Sequence, residues 1–250
     1  NLDCVDCHAG DAHRVRGRGA DLAATDSPDN PLSCSGECHS ETPHQIAAID
    51  SHTDRVYCTA CHIPTFAKDE PTDMRRDWSD IHYSTEKGKY TYRVELEKDV
   101  VPVYAWFNGK SFAQLPRTPV ERNDKGEITI VLPDGSRDDP DARIHAFKVH
   151  GGRLPVLDDK QWLVPIATEE FYAHGDIDKA IREAAEMFYG LEDIEYSWSD
   201  TIRYMGIYHE VTPKEDALQC LDCHRPGGRM DWQALGYERD PLEDRLKASR

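Results

Sequence analysis

Hydrophobic and polar positions along this chain fall into separate regimes. Residues 1–62 show no sustained apolar period and read as loops and short helices. Between residues 63 and 211 periodic segments emerge. Tyr90, Tyr92, Val94 and Leu96 alternate with charged or polar neighbours, which predicts a half-buried strand. Ile128, Ile130 and Leu132 alternate between the turn signals Lys125-Gly126 and Asp134-Gly135, predicting a second strand in a small β-hairpin or sheet. Asp176 can cap a helix whose apolar face is Ile177, Ala180, Ile181, Ala184 and Phe188, with Gly190 at its end. Thr212-Pro-Lys-Glu215 has the form of a capping box with Pro at the first helical position, predicting a short helix that runs into Cys220. After Asp240 the pattern is charged and predicts a loose or surface-bound tail.

Composition changes this picture in two ways. Hydrophobic residues make up only 38% of the 250, so something besides aliphatic side chains is expected to fill part of the interior. The 47 acidic against 30 basic residues give a net charge of −17, which argues against nucleic acid or an anionic bilayer as the main partner. The longest apolar run, Val100 to Phe107, contains Pro102 and is too short to span a bilayer. Four aspartates between Asp134 and Asp141 lack the spacing of a calcium loop and read as a solvated acidic turn.

The cysteines carry the chemistry. All eight lie in close pairs, Cys4/Cys7, Cys34/Cys38, Cys58/Cys61 and Cys220/Cys223, and a histidine follows each pair: His8, His39, His62 and His224. Three pairs read C-x-x-C-H, the attachment signature of c-type haem, and the second is a variant with three residues between its cysteines. Two thiols add to the haem vinyl groups as thioethers, and the adjacent histidine becomes an axial ligand of the iron. Disulfides would not require a histidine after every pair, and zinc sites place their histidines elsewhere. Four covalently attached haem c groups are therefore expected, in a multihaem cytochrome c fold with a haem-packed core, short helices, long loops and the small sheet. Three segments follow: 1–62 with three haems, 63–211 as a motif-free insertion packing on them, and 212–250 with the fourth haem and the tail, in one compact domain. Because covalent haem attachment takes place outside the cytoplasmic membrane, a periplasmic or extracellular location is expected, with a signal peptide already removed.

His13 and His44 each lie five residues after a motif histidine, His52 lies shortly before Cys58, and His209 before Cys220. These four are assigned as sixth ligands, with His150 in reserve and His82, His145 and His174 structural. Met74, Met187, Met205 and Met230 do not echo the histidine pattern and are assigned to core packing.

Several stretches carry a family resemblance: S51-H-T-D-R-V-Y-C-T-A-C-H-I-P-T-F-A-K68, Y104-A-W-F-N-G109, A146-F-K-V-H-G151 and P213-K-E-D-A-L-Q-C-L-D-C-H-R-P-G-G-R-M-D231. They resemble the octahaem tetrathionate reductase family of multihaem cytochromes c, over roughly residues 34–110 and 145–240. The resemblance implies that His44, His52 and His209 stand where distal haem ligands are found. It also implies a catalytic haem with a lysine ligand among the motifs this chain does not share, since family members carry eight motifs and this chain four.

Two functions compete on these observations. One is electron transfer through closely packed bis-histidine haems, exchanging electrons with redox partner proteins. In one version the chain is the protomer of an extracellular cytochrome filament, with copies joined head to tail. The other is reduction of a small sulfur or nitrogen oxyanion at one haem with an open or lysine-bound site, with Lys68, Lys110 and Lys148 supplying a basic pocket.

Overall fold

In the computed structural model, which describes residues 3–8, 10–11, 14–15 and 32–248, the N-terminal part consists of one-turn elements. These are α1 (Cys4–Cys7), the short ladder of β1 (Gly10–Asp11) and β2 (Arg14–Val15), α2 (Cys34–Glu37), α3 (Ala47–Asp50) and α4 (Cys58–His62). The motif-free middle is built on a mixed seven-stranded sheet, much larger than the hairpin or small sheet that the alternation predicts. Its strands are β3 (Thr72–Ser84), β4 (Lys89–Glu97), β5 (Val103–Phe107), β6 (Ser111–Ala113), β7 (Ile128–Pro133), β8 (Arg143–Leu157) and β9 (Tyr196–Gly206). The order is β4-β3-β8-β9-β7-β6, with β5 also on β8.

β8 organises this sheet. Along one side it pairs antiparallel with β9 from Phe147 to Leu157. Along the other it pairs antiparallel with β5 over Arg143 to Phe147, then parallel with β3 at Gly151 to Arg153. A strand covered on both faces has no solvent side to alternate with, and Ile144 to Phe147 are consecutively buried. That burial, together with Gly151, Gly152 and Pro155, hides the strand from a period-two reading. In β3, register shifts between Asp73 and Arg75 and between Asp77 and Ile81 break the period. The two strands expected from alternation are β4 and β7. β4 is an edge strand, so Tyr90 and Tyr92 are half-buried while Val94 and Leu96 face solvent.

Two helices, α5 (Thr168–His174) and α6 (Ile177–Tyr189), join β8 to β9. The Asp176 side chain accepts the Lys179 N–H at 3.0 Å, and Gly190 ends α6 in the left-handed conformation at φ 70°. Ala180, Ile181, Ala184 and Ala185 are the buried face, and Ile181 and Ala185 pack with Leu157, Val164 and Ile194. Phe188, expected on that face, is exposed. Met187 is exposed too, contrary to its assignment to the core, whereas Met74 and Met230 do pack against buried clusters.

The capping box expected at Thr212 does not form. Residues Lys214–Asp216 make a single 3-10 turn, and Thr212 instead gives its N–H and hydroxyl to the His62 carbonyl. The tail after Asp240 is not loose: Pro241–Ala248 is a helix, α8, whose Leu242 N–H donates to Asp240 Oδ1 at 2.9 Å. α7 (Cys220–Cys223) precedes it. The N-terminal part is keyed to the sheet where the Tyr57 N–H reaches the Ile144 carbonyl at 2.9 Å. Trp106 Nε1 donates to the Leu235 carbonyl at 2.9 Å inside the cluster of Ala60, Tyr104, Ile144 and Ala146. Asp134 and Asp139 of the acidic turn both accept from Asn108. No described helix is long and apolar enough to cross a membrane.

Asp73 ties β3 to β8, accepting from Arg76 and, at 3.0 Å, from His150 Nε2. Burial alone would raise its carboxyl pKa, but the Arg76 and His150 hydrogen bonds outweigh burial and hold it below the usual carboxylate range. A depressed pKa contributes stability above the unfolded value of about 3.9, which is lost as pH falls through the folded value. Asp73→Asn should therefore cost about 1–2 kcal/mol at pH 7, and the gap from wild type should close below about pH 4 in denaturant unfolding. Ile181→Ala, at a position with no exposed surface, should cost about 2–5 kcal/mol in the same assay at any of these pH values.

Candidate functional site

Each cysteine pair sits on one turn of helix, which brings two thiols and the following histidine to one side of a short rod. In three motifs the turn has ordinary α spacing. The His8 N–H bonds to the Cys4 carbonyl at 2.8 Å, and the His224 N–H to Cys220 at 2.9 Å. The variant motif absorbs its extra residue by widening: His39, five residues on, closes on the Cys34 carbonyl at 2.9 Å. The longer spacer thus ends at the same carbonyl as the shorter ones. Motifs one and four are further fixed by an acid in their first turn, Asp6 accepting the Asp3 N–H at 2.7 Å and Asp222 the Gln219 N–H at 2.8 Å.

None of the eight cysteines is joined to another in a disulfide. Two motifs touch at Cys34 and Cys58, whose side chains hydrogen-bond; this holds the Cys34 thiol down to about 6 and pushes Cys58 up. Burial raises Cys61 and Cys223, the latter to about 11, and each feels the charge of a cysteine in the other's motif.

The histidines pair across space. Ring centres of His8 and His209 are 6.1 Å apart, those of His44 and His62 6.3 Å, and those of His52 and His224 6.2 Å. This is too far for direct stacking. A metal–nitrogen bond of about 2 Å on each side, plus about 1.1 Å from each ring centre to its nitrogen, sets two axial imidazoles about 6.2 Å apart. Each pair joins one motif histidine to one histidine from outside the motifs. Among the described residues no second imidazole faces His39 in this way; His13 lies outside the described residues.

The free nitrogens point the same way. His52 Nδ1 lies 2.8 Å from the Ala48 carbonyl, which can only accept, so Nδ1 carries the proton and Nε2 the lone pair. His44 Nδ1 is held by Asp50 at 3.1 Å and His224 Nδ1 by Asp240 at 2.6 Å, with the same consequence for a carboxylate acceptor. Carboxylates behind metal-bound histidines fix ring orientation and raise ligand basicity. Asp50 and Asp240 escape the sequence reading, because an acid that reaches a ring from a neighbouring turn has no fixed spacing. The donor set and its spans fit haem.

The remaining histidines are engaged elsewhere. His150, the reserve ligand, bonds to Asp73; His145 stacks on Tyr57 at 4.2 Å; His174 lies 3.8 Å from Glu170. His82 is an exposed residue of β3. Two of the three lysines considered for a basic pocket, Lys68 and Lys148, have separate side-chain partners. Lys68 reaches the Glu210 carbonyl at 2.9 Å, Lys148 the Thr72 hydroxyl at 2.8 Å, and the Lys110 carbonyl takes the Asp134 N–H.

The crystal structure of an octaheme cytochrome c from Shewanella oneidensis is similar to this chain with a TM-score of 0.83 and 30% identity. The match covers 98% of this chain but 59% of that one, so the chain spans well under two thirds of the octahaem protein's length. No curated protein matches the sequence. A family model described as "Cytochrome c bacterial" matches residues 62–227, well over half the chain. The chain therefore belongs to the bacterial cytochrome c family, whose members bind haem c covalently, and its fold is that of a multihaem cytochrome c.

Proposed function

We propose that the chain is a tetrahaem electron-transfer protein in which each iron is held between two histidines. The observation that carries this reading is the recurrence of one 6.1–6.3 Å imidazole separation in three pairs remote in sequence. Cys4, Cys7, Cys34, Cys38, Cys58, Cys61, Cys220 and Cys223 are the attachment residues, with His8, His39, His62 and His224 as proximal ligands. His209, His44 and His52 face His8, His62 and His224, and His13 is assigned to the His39 site. Haem supplies the one-electron redox chemistry when bound. With both axial positions filled by protein, no substrate could reach the metal directly.

The motifs lie close together in space. Cys34 touches Cys58; Cys61 neighbours Cys220 and Cys223 and accepts the Leu218 N–H at 3.0 Å; and His209, just ahead of the last motif, faces His8 of the first. Motif two thus lies beside motif three and motif three beside motif four, and His209, three residues ahead of the Thr212 that bonds to the His62 carbonyl, brings motif one to the same group. Cys4, Cys7 and Cys38 of the first and second motifs are exposed, as is Cys220 of the fourth, while Cys223 is buried. Exposed motifs suit exchange with redox partner proteins in the periplasm or outside the cell. Copies meeting there would extend the same arrangement between chains as a filament.

The reductase reading attaches to one place, the His39 site. Ferric electron paramagnetic resonance of the haem-loaded protein should show low-spin iron alone, unchanged by nitrite or cyanide. A high-spin signal that moves on their addition would transfer the function to reduction at that site. Intact mass should show four haem additions, and three, with the Cys34/Cys38 pair unmodified, would refute the count. The charge of Asp240 behind His224 favours the ferric state, so Asp240→Asn should raise one of four midpoint potentials in a redox titration. The scale is on the order of 2 kcal/mol, roughly 90 mV, for a unit charge about 8 Å away at an effective dielectric near 20.

A further inference from the structure

Away from the haem motifs, the central sheet gathers cations on one of its faces. Arg76 of β3 stands opposite Gly152 of β8, and His150 of β8 opposite Arg203 of β9, with Lys148 two residues before His150 on the same face. The other face of these strands carries Arg75 and Arg153, and there Asp200 meets them at 2.6 and 3.7 Å. On the first face Asp73 is shared between Arg76 and His150, while Lys148 is buried against the Thr72 hydroxyl. Burial pushes the Lys148 amine down, and Arg203 and Arg76 push it further while Asp73 opposes them. His150 is lowered by burial first, and then by Arg203 and Lys148 against Asp73. Arg76 and Arg203 thus bring two guanidinium groups, with an imidazole whose charge burial disfavours, to one face of the sheet, a donor set that suits an anion.

There is room for one. Arg76, His150 and Arg203 line a cavity of about 140 Å³ whose other walls are Trp78, Ile130 and Leu154. Trp78 is a fixed wall, packed on Tyr92 at 3.9 Å and Phe171 at 5.5 Å. Gly152 keeps the floor clear, since a Cβ there would lie 2.6 Å from Thr201 Oγ1. A water needs about 10–15 Å³ of such space, so the cavity admits a ligand of several heavy atoms. Convergent polar groups set in an otherwise apolar recess are the usual form of a small-molecule site.

We propose that this cavity binds a small organic carboxylate, its charged end held by Arg76, Arg203 and His150 and its apolar body laid against Trp78, Ile130 and Leu154. None of these residues belongs to the haem motifs or their facing histidines, so the site stands apart from the proposed ligation. Calorimetric titration of the haem-loaded protein at fixed ionic strength, with benzoate and sulfate as probes, tests it. Benzoate should bind saturably. Arg76→Gln and Arg203→Lys should weaken it about tenfold or more, the latter because lysine keeps the charge but loses the planar fork. Arg153→Gln, on the other face, should bind as wild type does. If Arg76→Gln fails to fold, Arg203→Lys decides alone. Absence of saturable binding, as a haem propionate already held by this cluster would cause, overturns the site. Equal weakening in Arg153→Gln does so too, and sulfate binding tighter than benzoate overturns the carboxylate assignment.

Discussion

The distance between facing imidazoles is the constraint on which the rest of this structure depends. Both cysteines of a motif lie on one turn of helix, so thioether bonds fasten a haem to that turn but join no distant parts of the chain. In the proposed ligation, the facing histidine makes the distant connection. His8 meets His209 from beyond β9, and His52 meets His224 near the C-terminus. These spans must hold to within a few tenths of an ångström, because metal–nitrogen bonds tolerate little stretch. One-turn helices with no core of their own could not keep such a tolerance.

The sheet supplies the rigidity. β8 is paired along both sides, and its start is where the N-terminal part docks, through Tyr57 on the Ile144 carbonyl and Tyr57 stacked on His145. The segment leaving β9 carries His209, and Glu210 beside it accepts the Ala67 and Lys68 N–H groups. Thr212 then caps the His62 carbonyl. Sheet, facing histidine and motif thus form a continuous hydrogen-bonded path. The 38% hydrophobic content is adequate because aliphatic clusters are needed chiefly around the sheet and α6.

What was legible in the sequence follows from which signals are local. A motif in which cysteines and histidine share one turn is written in adjacent positions, and so is α6, with Asp176 and Gly190 at its ends. Of the four histidines assigned from sequence as sixth ligands, His44, His52 and His209 lie 6.1–6.3 Å, ring centre to ring centre, from a motif histidine, and the first two were suggested by their nearness to a motif. The sheet was largely illegible. β8 has no solvent face, and β3 is interrupted by bulges, so neither alternates. The false capping box at Thr212 shows the same limit from the other side. Its residues had the right spacing, but the His62 carbonyl, a partner remote in sequence, took the Thr212 donors.

Carboxylates behind the histidines add a last level of control. His224 has a carboxylate at 2.6 Å, His44 one at 3.1 Å, and His52 a neutral carbonyl at 2.8 Å. A short bond to a charged acceptor gives its imidazole more anionic character than a carbonyl can, and a more anionic ligand favours ferric iron. The His52/His224 pair therefore combines one strong and one weak polariser, whereas Asp50 acts on the His44/His62 pair from one side at longer range. Identical axial residues then do not imply identical potentials. Since motifs three and four are adjacent in the proposed arrangement, this difference falls between neighbours. The energy steps along such a path would be set by side chains that the motifs themselves do not contain.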